Sequence, residues 1–310
     1  MAAVTATAPA PPFRLFAVTV RRIVDLSPSF RRFTLVGDEL QHFADNGFDQ
    51  RIKLILPLEG AGITPLPAND DWYAAWRELP DHQRNPIRTY TVRQTRAVDR
   101  EIDVDVVVHP VSGPASRWAE DAVIGSELVI VGPNAQHDGP HGGVDFLPPA
   151  HTDMILLAGD ETALPAIASI LERLPLTARG TALLEVPRED DAVCVPSHPG
   201  FDVRVFGRNG RPSGELLLDA VRETAPQLLR GAPATESTEL TDVDVDSELL
   251  WEVPSDEHGG PAREATALYS WLAGEAGAIK AIRRHLVSEL GIDRKTVAFM
   301  GYWRLGRSEN

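Results

Sequence analysis

Apolar and polar residues alternate in short runs over the first two fifths of the chain, then give way to continuous apolar stretches parted by longer amphipathic ones. The short β-rich runs cover residues 15–24, 30–36, 51–57, 88–93, 101–108 and 127–131. In Ile102-Asp103-Val104-Asp105-Val106 the acids point one way and the branched residues the other, as a pleated strand requires. With Pro, Gly and Asp between the runs and one polar loop at 58–86, the spacing predicts an antiparallel barrel.

A Gly/Pro/His stretch, 132–149, marks a change of character. Residues 154–157 read as a buried strand, 164–174 as a helix and 181–186 as a second strand, which together make a β-α-β unit with parallel strands. Strands at 203–206, 249–253, 268–273 and 297–302 and helices at 213–229 and 275–290, the last closed by Gly291, complete a doubly wound, mostly parallel sheet. The segment 231–248 is acidic and Thr/Ala-rich, and reads as a solvated loop. The expected division is a barrel domain at 13–148, an α/β domain at 149–310 and a flexible tail at 1–12.

Composition narrows the function. A chain of 310 residues with 43% apolar content can fill two cores. Its formal charge of -15 disfavours nucleic acid as a partner, since phosphate binding depends on clustered Lys and Arg. Cys194 is the single cysteine, which leaves no intrachain disulfide, all-Cys zinc site or four-thiolate iron–sulfur cluster, so redox chemistry needs an organic cofactor. No signal-like or membrane-spanning apolar stretch is visible, and the expected location is the cytoplasm, without membrane insertion.

Arg88-Thr89-Tyr90-Thr91 offers a cation, a flat aromatic and short hydroxyls on one strand, which a flavin nucleotide uses for its diphosphate, ring and N5 edge. An amphipathic strand with a solvated basic face is the plainer alternative. Farther on, Val108-His109 leads through Pro110 to Gly113-Pro114-Ala115-Ser116, where Ser116 reads as an N-cap and the helix start as a pyrophosphate site. Gly159-Asp160-Glu161-Thr162-Ala163 and Ala273-Gly274-Glu275 are both strand-to-helix turns on one rim of the α/β sheet, the nucleotide position of doubly wound folds. At the end of the second strand, Glu185 suits a ribose 2′-hydroxyl and hence NADH, whereas Arg188 suits a 2′-phosphate and hence NADPH. His137, His141 and His151 suggest a metal site, but a solvated linker explains them better, and no metal is assigned.

Taken in this order and with the closing Gly301-Tyr302-Trp303-Arg304, these motifs resemble the siderophore-interacting protein family, the FAD-dependent ferric-siderophore reductases of the ferredoxin-reductase-like superfamily. The resemblance implies a six-stranded FAD-binding barrel and an NAD(P)-binding α/β domain. Arg88, Thr89, Tyr90, Thr91, Val108, His109, Gly113, Pro114, Ala115 and Ser116 would then hold FAD, with Asp160, Thr162 and Ala163 approaching it from the second domain. Gly274, Glu275 and Tyr302 would lie near the nicotinamide, and Thr91 beside flavin N5, with no acid or base residue required. Lys53, Arg304 and Arg307 are the candidate contacts to an anionic ferric siderophore.

The activity so implied takes a hydride from NADH or NADPH and reduces Fe(III)-siderophore to release Fe(II), in a monomer or weak dimer. One alternative is a general NAD(P)H:flavin or ferredoxin-type reductase, against which the acidic charge speaks weakly because ferredoxins are acidic too. The other is a non-enzymatic siderophore- or flavin-binding protein.

Overall fold

The computed structural model describes residues 10–67, 71–108, 113–229 and 250–306. Seven strands form the N-terminal sheet: β1 (Phe13–Asp25), β2 (Phe30–Val36), β3 (Arg51–Ile55), β4 (Ile87–Thr91), β5 (Gln94–Arg96), β6 (Glu101–Val107) and β7 (Glu127–Pro133). They are antiparallel, in the order β4-β3-β7-β1-β2-β6-β5. The run expected as one strand at 88–93 breaks at Val92-Arg93. There the Val92 amide still donates to Gln50 next to β3, and the Arg93 amide donates to Asp103 on β6. One stretch of chain thus borders both ends of the sheet and curls it around a core of Phe16, Phe33, Leu35, Ile52, Leu54, Val104 and Ile130.

The acidic face of β6 is buried. Asp105 receives two bonds from Arg32, and Asp103 receives two from Arg96 and one from the Thr34 hydroxyl. The alternation of 102–106 was therefore a correct guide to facing, and arginines cover the polar side. The polar loop at 58–86 also departs from expectation, since it carries a helix, α1 (Trp72–Glu78). None of its residues is buried, so no apolar period announces it.

The C-terminal sheet holds β8 (His151–Gly159), β9 (Gly180–Val186), β10 (Phe201–Gly207), β11 (Trp251–Glu252), β12 (Ala265–Glu275) and β13 (Val297–Trp303) in the order β10-β9-β8-β12-β13-β11. All pairs are parallel except β11 with β13. Helix α3 (Leu164–Arg173) packs with Ile155 and Leu157 on one face. On the other face α4 (Glu215–Leu228) and α5 (Ala276–Arg283) pack with Leu156 and Ala158, so the sheet is doubly wound. A π-helical turn, Arg284–Glu289, prolongs α5, and Gly291 at φ 69° ends it as the sequence suggested. The acidic segment 231–248 lies outside the described residues.

Two segments read as loose are tied down. Ala10, Pro11 and Pro12, in the expected tail, accept hydrogen bonds from His137 and Asn134. In the expected linker, Phe146 is buried against Phe48 and Tyr269. That stretch fills the seam between the sheets. The seam is further closed by paired bonds from Arg93 to Glu172 (2.6 Å each) and by Asp191, whose carboxylate accepts from Ser27 Oγ and Ser29 N.

Candidate functional site

The site begins on β4. Its Arg88, Thr89 and Tyr90 oppose Leu54, Lys53 and Ile52 of β3, so Arg88 and Tyr90 share the inner face while Thr89 and Lys53 point outwards and are exposed. Tyr90 packs against the barrel core, and burial pushes its phenol up to about 12 although the Arg88 charge pulls the other way. The Arg88 guanidinium donates to the Ile87 carbonyl. Beside this strand β6 leads to Val108, whose amide bonds Ser29, and the chain resumes at α2 (Pro114–Asp121).

Helix α2 starts earlier than the sequence suggested. Gly113 is its N-cap and Pro114 its first residue, so Ser116 lies within the first turn rather than capping it. The first intrahelical bond runs from Arg117 N to Gly113 O, which leaves the amides of Ala115 and Ser116 without a helical partner. Among the described residues nothing lies within 4 Å of a Cβ placed on Gly113. Two amides without a helical partner at a helix start, no described atom near the glycine Cβ position and a cation and phenol on the neighbouring strand suit a flavin nucleotide. His109 lies outside the described residues.

On the α/β side Asp160 organises the rim. It is buried, and its Oδ1 accepts from Thr162 N (2.9 Å) and Thr162 Oγ1 (2.6 Å) while its Oδ2 accepts from Glu275 N and Trp303 Nε1 (2.7 Å each). Burial and the neighbouring Glu161 push its carboxyl up to about 7, against the pull of those bonds. One side chain therefore ties together the ends of β8, β12 and β13. Gly274 adopts φ 150°, and a Cβ there would stand 2.7 Å from Asp160 Oδ2. Glu275 caps α5 by accepting from Ala278 N, and Ala163 is fully buried at the start of α3. Both oxygens of Asp160 are thus engaged in bonds within the rim.

The two halves meet through a column of side chains. Arg51 lies opposite Thr91 across β3 and β4, and therefore on the same face of the sheet. Its guanidinium sits 2.8 Å from Asp145 and 4.4 Å above the Trp251 ring. Trp251 stacks on Tyr302 (5.6 Å, 22°), and Tyr302 meets Trp271 edge-on (6.3 Å, 84°). Trp271 in turn donates to Asp49 Oδ2 (3.1 Å). Thr91, 5% exposed, is thus brought to the seam that carries Tyr302. The Tyr302 hydroxyl is buried with no partner among the described residues, and burial, with Asp49 nearby, holds its phenol well above its usual range. Sequence reading passed over Asp49, Arg51, Asp145 and Trp251. Only the isolated acids and tryptophans hinted at them.

The remaining candidates are more dispersed. Glu185 is fully buried and accepts from Gly214 N (2.7 Å) and Leu217 N (3.0 Å) at the start of α4, so it is not the ribose acceptor it was read as. Arg304 is half-exposed beyond β13, and Arg307 lies outside the described residues. His137 and His141 each bond a backbone carbonyl, of Ala10 and Asn134. His151 begins β8, at the opposite end of the sheet from Asp160.

Residues 19–137 match the family described as siderophore-interacting FAD-binding domain, and residues 152–306 match siderophore-interacting protein. The chain belongs to the siderophore-interacting protein family. Among its relatives is the ferric vibriobactin reductase ViuB of Vibrio cholerae, 30% identical over 286 residues that span 92% of this chain and 87% of that one. A solved siderophore utilization protein from T. fusca is 29% identical, covers 96% of both chains and superposes with a TM-score of 0.71. The ferredoxin reductase in carbazole 1,9a-dioxygenase, at 14% identity, 95% of this chain, 71% of its own and a TM-score of 0.57, shares the fold. Among the described residues no helix is long and apolar enough to cross a membrane.

Proposed function

We propose that the chain is a ferric-siderophore reductase that draws electrons from a nicotinamide nucleotide through FAD. The observation that carries this reading is the column from Arg51 through Trp251 to Tyr302, which sets the Thr91 strand and the β13 rim at one seam. A flavin ring beside Thr91 has the nucleotide rim facing it. FAD, when bound, accepts a hydride and yields electrons singly, as reduction of Fe(III) requires. The protein's own contribution is placement. Arg88 and the Ala115 and Ser116 amides would hold the diphosphate, Tyr90 would pack the ring, and Thr91 would lie at its N5 edge. Asp160, Gly274 and Glu275 fix the opposite rim. Lys53, outward beside Thr89, and Arg304 supply positive charge for an anionic iron chelate, which releases Fe(II) because hard oxygen ligands hold it weakly.

Counting β4 and β5 as two halves of one strand makes the N-terminal sheet a six-stranded barrel, and the two domains divide at 148–149. The test is stopped-flow reduction of the FAD-loaded protein, then mixing with a ferric tris-catecholate and a Fe(II) trap. Fe(II) should form faster than in a free-flavin control, and equal rates would remove the reductase reading.

A further inference from the structure

Where β9 ends, the chain carries the residues that decide which nicotinamide nucleotide fits. In a doubly wound sheet the adenosine ribose lies at this strand end, where a carboxylate accepts from a 2′-hydroxyl and an arginine holds a 2′-phosphate. The carboxylate here, Glu185, is fully buried, and both its oxygens accept amides that open α4. Arg208 lies 3.4 Å from it and is itself locked to Glu161 by bonds of 2.5 and 2.7 Å. Glu185 thus has nothing left to offer a ribose, and freeing it would unmake the start of a helix.

Three residues on, Arg188 is exposed. The turn after β10 runs alongside it, since Arg208 N donates to Val186 O (2.8 Å) and Asn209 N to Pro187 O (3.1 Å). Left-handed Asn209 (φ 49°) and Gly210 (φ 93°) then reverse the chain and deliver Arg211, whose contact with Glu215 is a loose 3.4 Å between two exposed side chains. Glu189 and Asp190 next to Arg188 are exposed, and water screens their charge. The strand end therefore presents two guanidiniums without a tight ion pair among the described residues, whereas its own carboxylate, Glu185, is committed to α4 and the exposed acids Glu189 and Asp190 follow only beyond Arg188.

We propose that the donor is NADPH in preference to NADH, with its 2′-phosphate held by Arg188 and Arg211. The inference rests on the reductase reading, and its test is built to separate the two. The FAD-loaded full chain is titrated calorimetrically with 2′,5′-ADP and with 5′-AMP, and its flavin reduction by NADPH and by NADH is followed in stopped flow. A charge-assisted phosphate contact predicts at least about tenfold tighter binding of 2′,5′-ADP and a similar advantage of NADPH in the ratio of reduction rate to Kd. Both advantages should shrink about tenfold or vanish in Arg188→Gln/Arg211→Gln, and singly charged variants should fall between. Equal binding of the two adenosine probes, faster reduction by NADH, or discrimination that survives the double substitution overturns the proposal. Reduction by NADH alone overturns it while leaving the reductase reading intact. Selective 2′,5′-ADP binding without flavin reduction by either nucleotide supports the phosphate site and removes the reductase reading.

Discussion

Asp160→Asn is the sharpest probe of the rim. In the native side chain four donated hydrogen bonds converge on two oxygens, of which Oδ2 takes Glu275 N and Trp303 Nε1. Asparagine can keep the Thr162 bonds on its oxygen, but its NH2 then faces two N–H donors with nothing to accept them. A buried donor left unpaired costs about 1–3 kcal/mol, so the pair costs about 2–6 kcal/mol. Removing a buried charge beside Glu161 returns part of this, for a net loss of about 2–4 kcal/mol. At about 2–4 °C per kcal/mol, the melting temperature at pH 8 should fall by about 5–15 °C. Trp303→Phe deletes one of the two stranded donors, so the double variant should lose less than the sum of the singles by about 1 kcal/mol or more. Melting of Asp160→Asn within about 1 °C of the native chain would refute the clamp.

Three further outcomes are expected. Arg88→Ala should weaken FAD binding about tenfold or more, read as flavin lost on gel filtration, and full retention would remove Arg88 from the site. Asp49 is pushed up to about 6 by burial, with Asp145 adding repulsion, so the folded chain holds that proton where the unfolded chain has lost it. Stability should then fall by about 3 kcal/mol as pH rises from about 4 to about 6 and level off above, and the fall should be missing from urea midpoints of Asp49→Asn; parallel curves for the two proteins would show that Asp49 does not titrate this way. Gly274→Ala meets both a φ of 150° and a Cβ contact of 2.7 Å to Asp160, and should cost about 1–3 kcal/mol in thermal unfolding, an unchanged melting point counting against the close approach.

Most of the strands, and the succession of an antiparallel sheet by a mostly parallel one, were legible because facing and burial impose their periods locally. Ile102–Val106 shows it, as do the unbroken apolar runs of β8 and β9. Helix α1 was not, because a helix without a buried face leaves no period. The motifs proposed for the site stood out in the sequence, but the bonds their side chains make did not. Asp160 and Glu185 read as ligand contacts, and both prove to be bonded by backbone amides from elements far along the chain. The seam was least legible of all, since Asp49 and Trp271 are 222 positions apart and neither sits in a pattern that names the other. Ser116 shows a smaller failure of the same kind. Proline at the first helical position outweighs serine's capping preference, and the helix starts three residues early.

The handover of one chain segment from β3 at Val92 to β6 at Arg93 bears on how the molecule assembles. Residues 87–96 cannot finish pairing until a partner some forty positions upstream and another just downstream are both in place, which makes them the latch of the N-terminal half. Loops that close late are slow to form and early to open. The motif proposed to hold the flavin, 88–91, lies on that latch. Occupation of the motif by its nucleotide would favour the latched state over every opened one, so amide exchange along 87–96 should slow on loading by more than at β1 or β8, and the cofactor would then serve as the last piece of the sheet's closure as well as its redox partner.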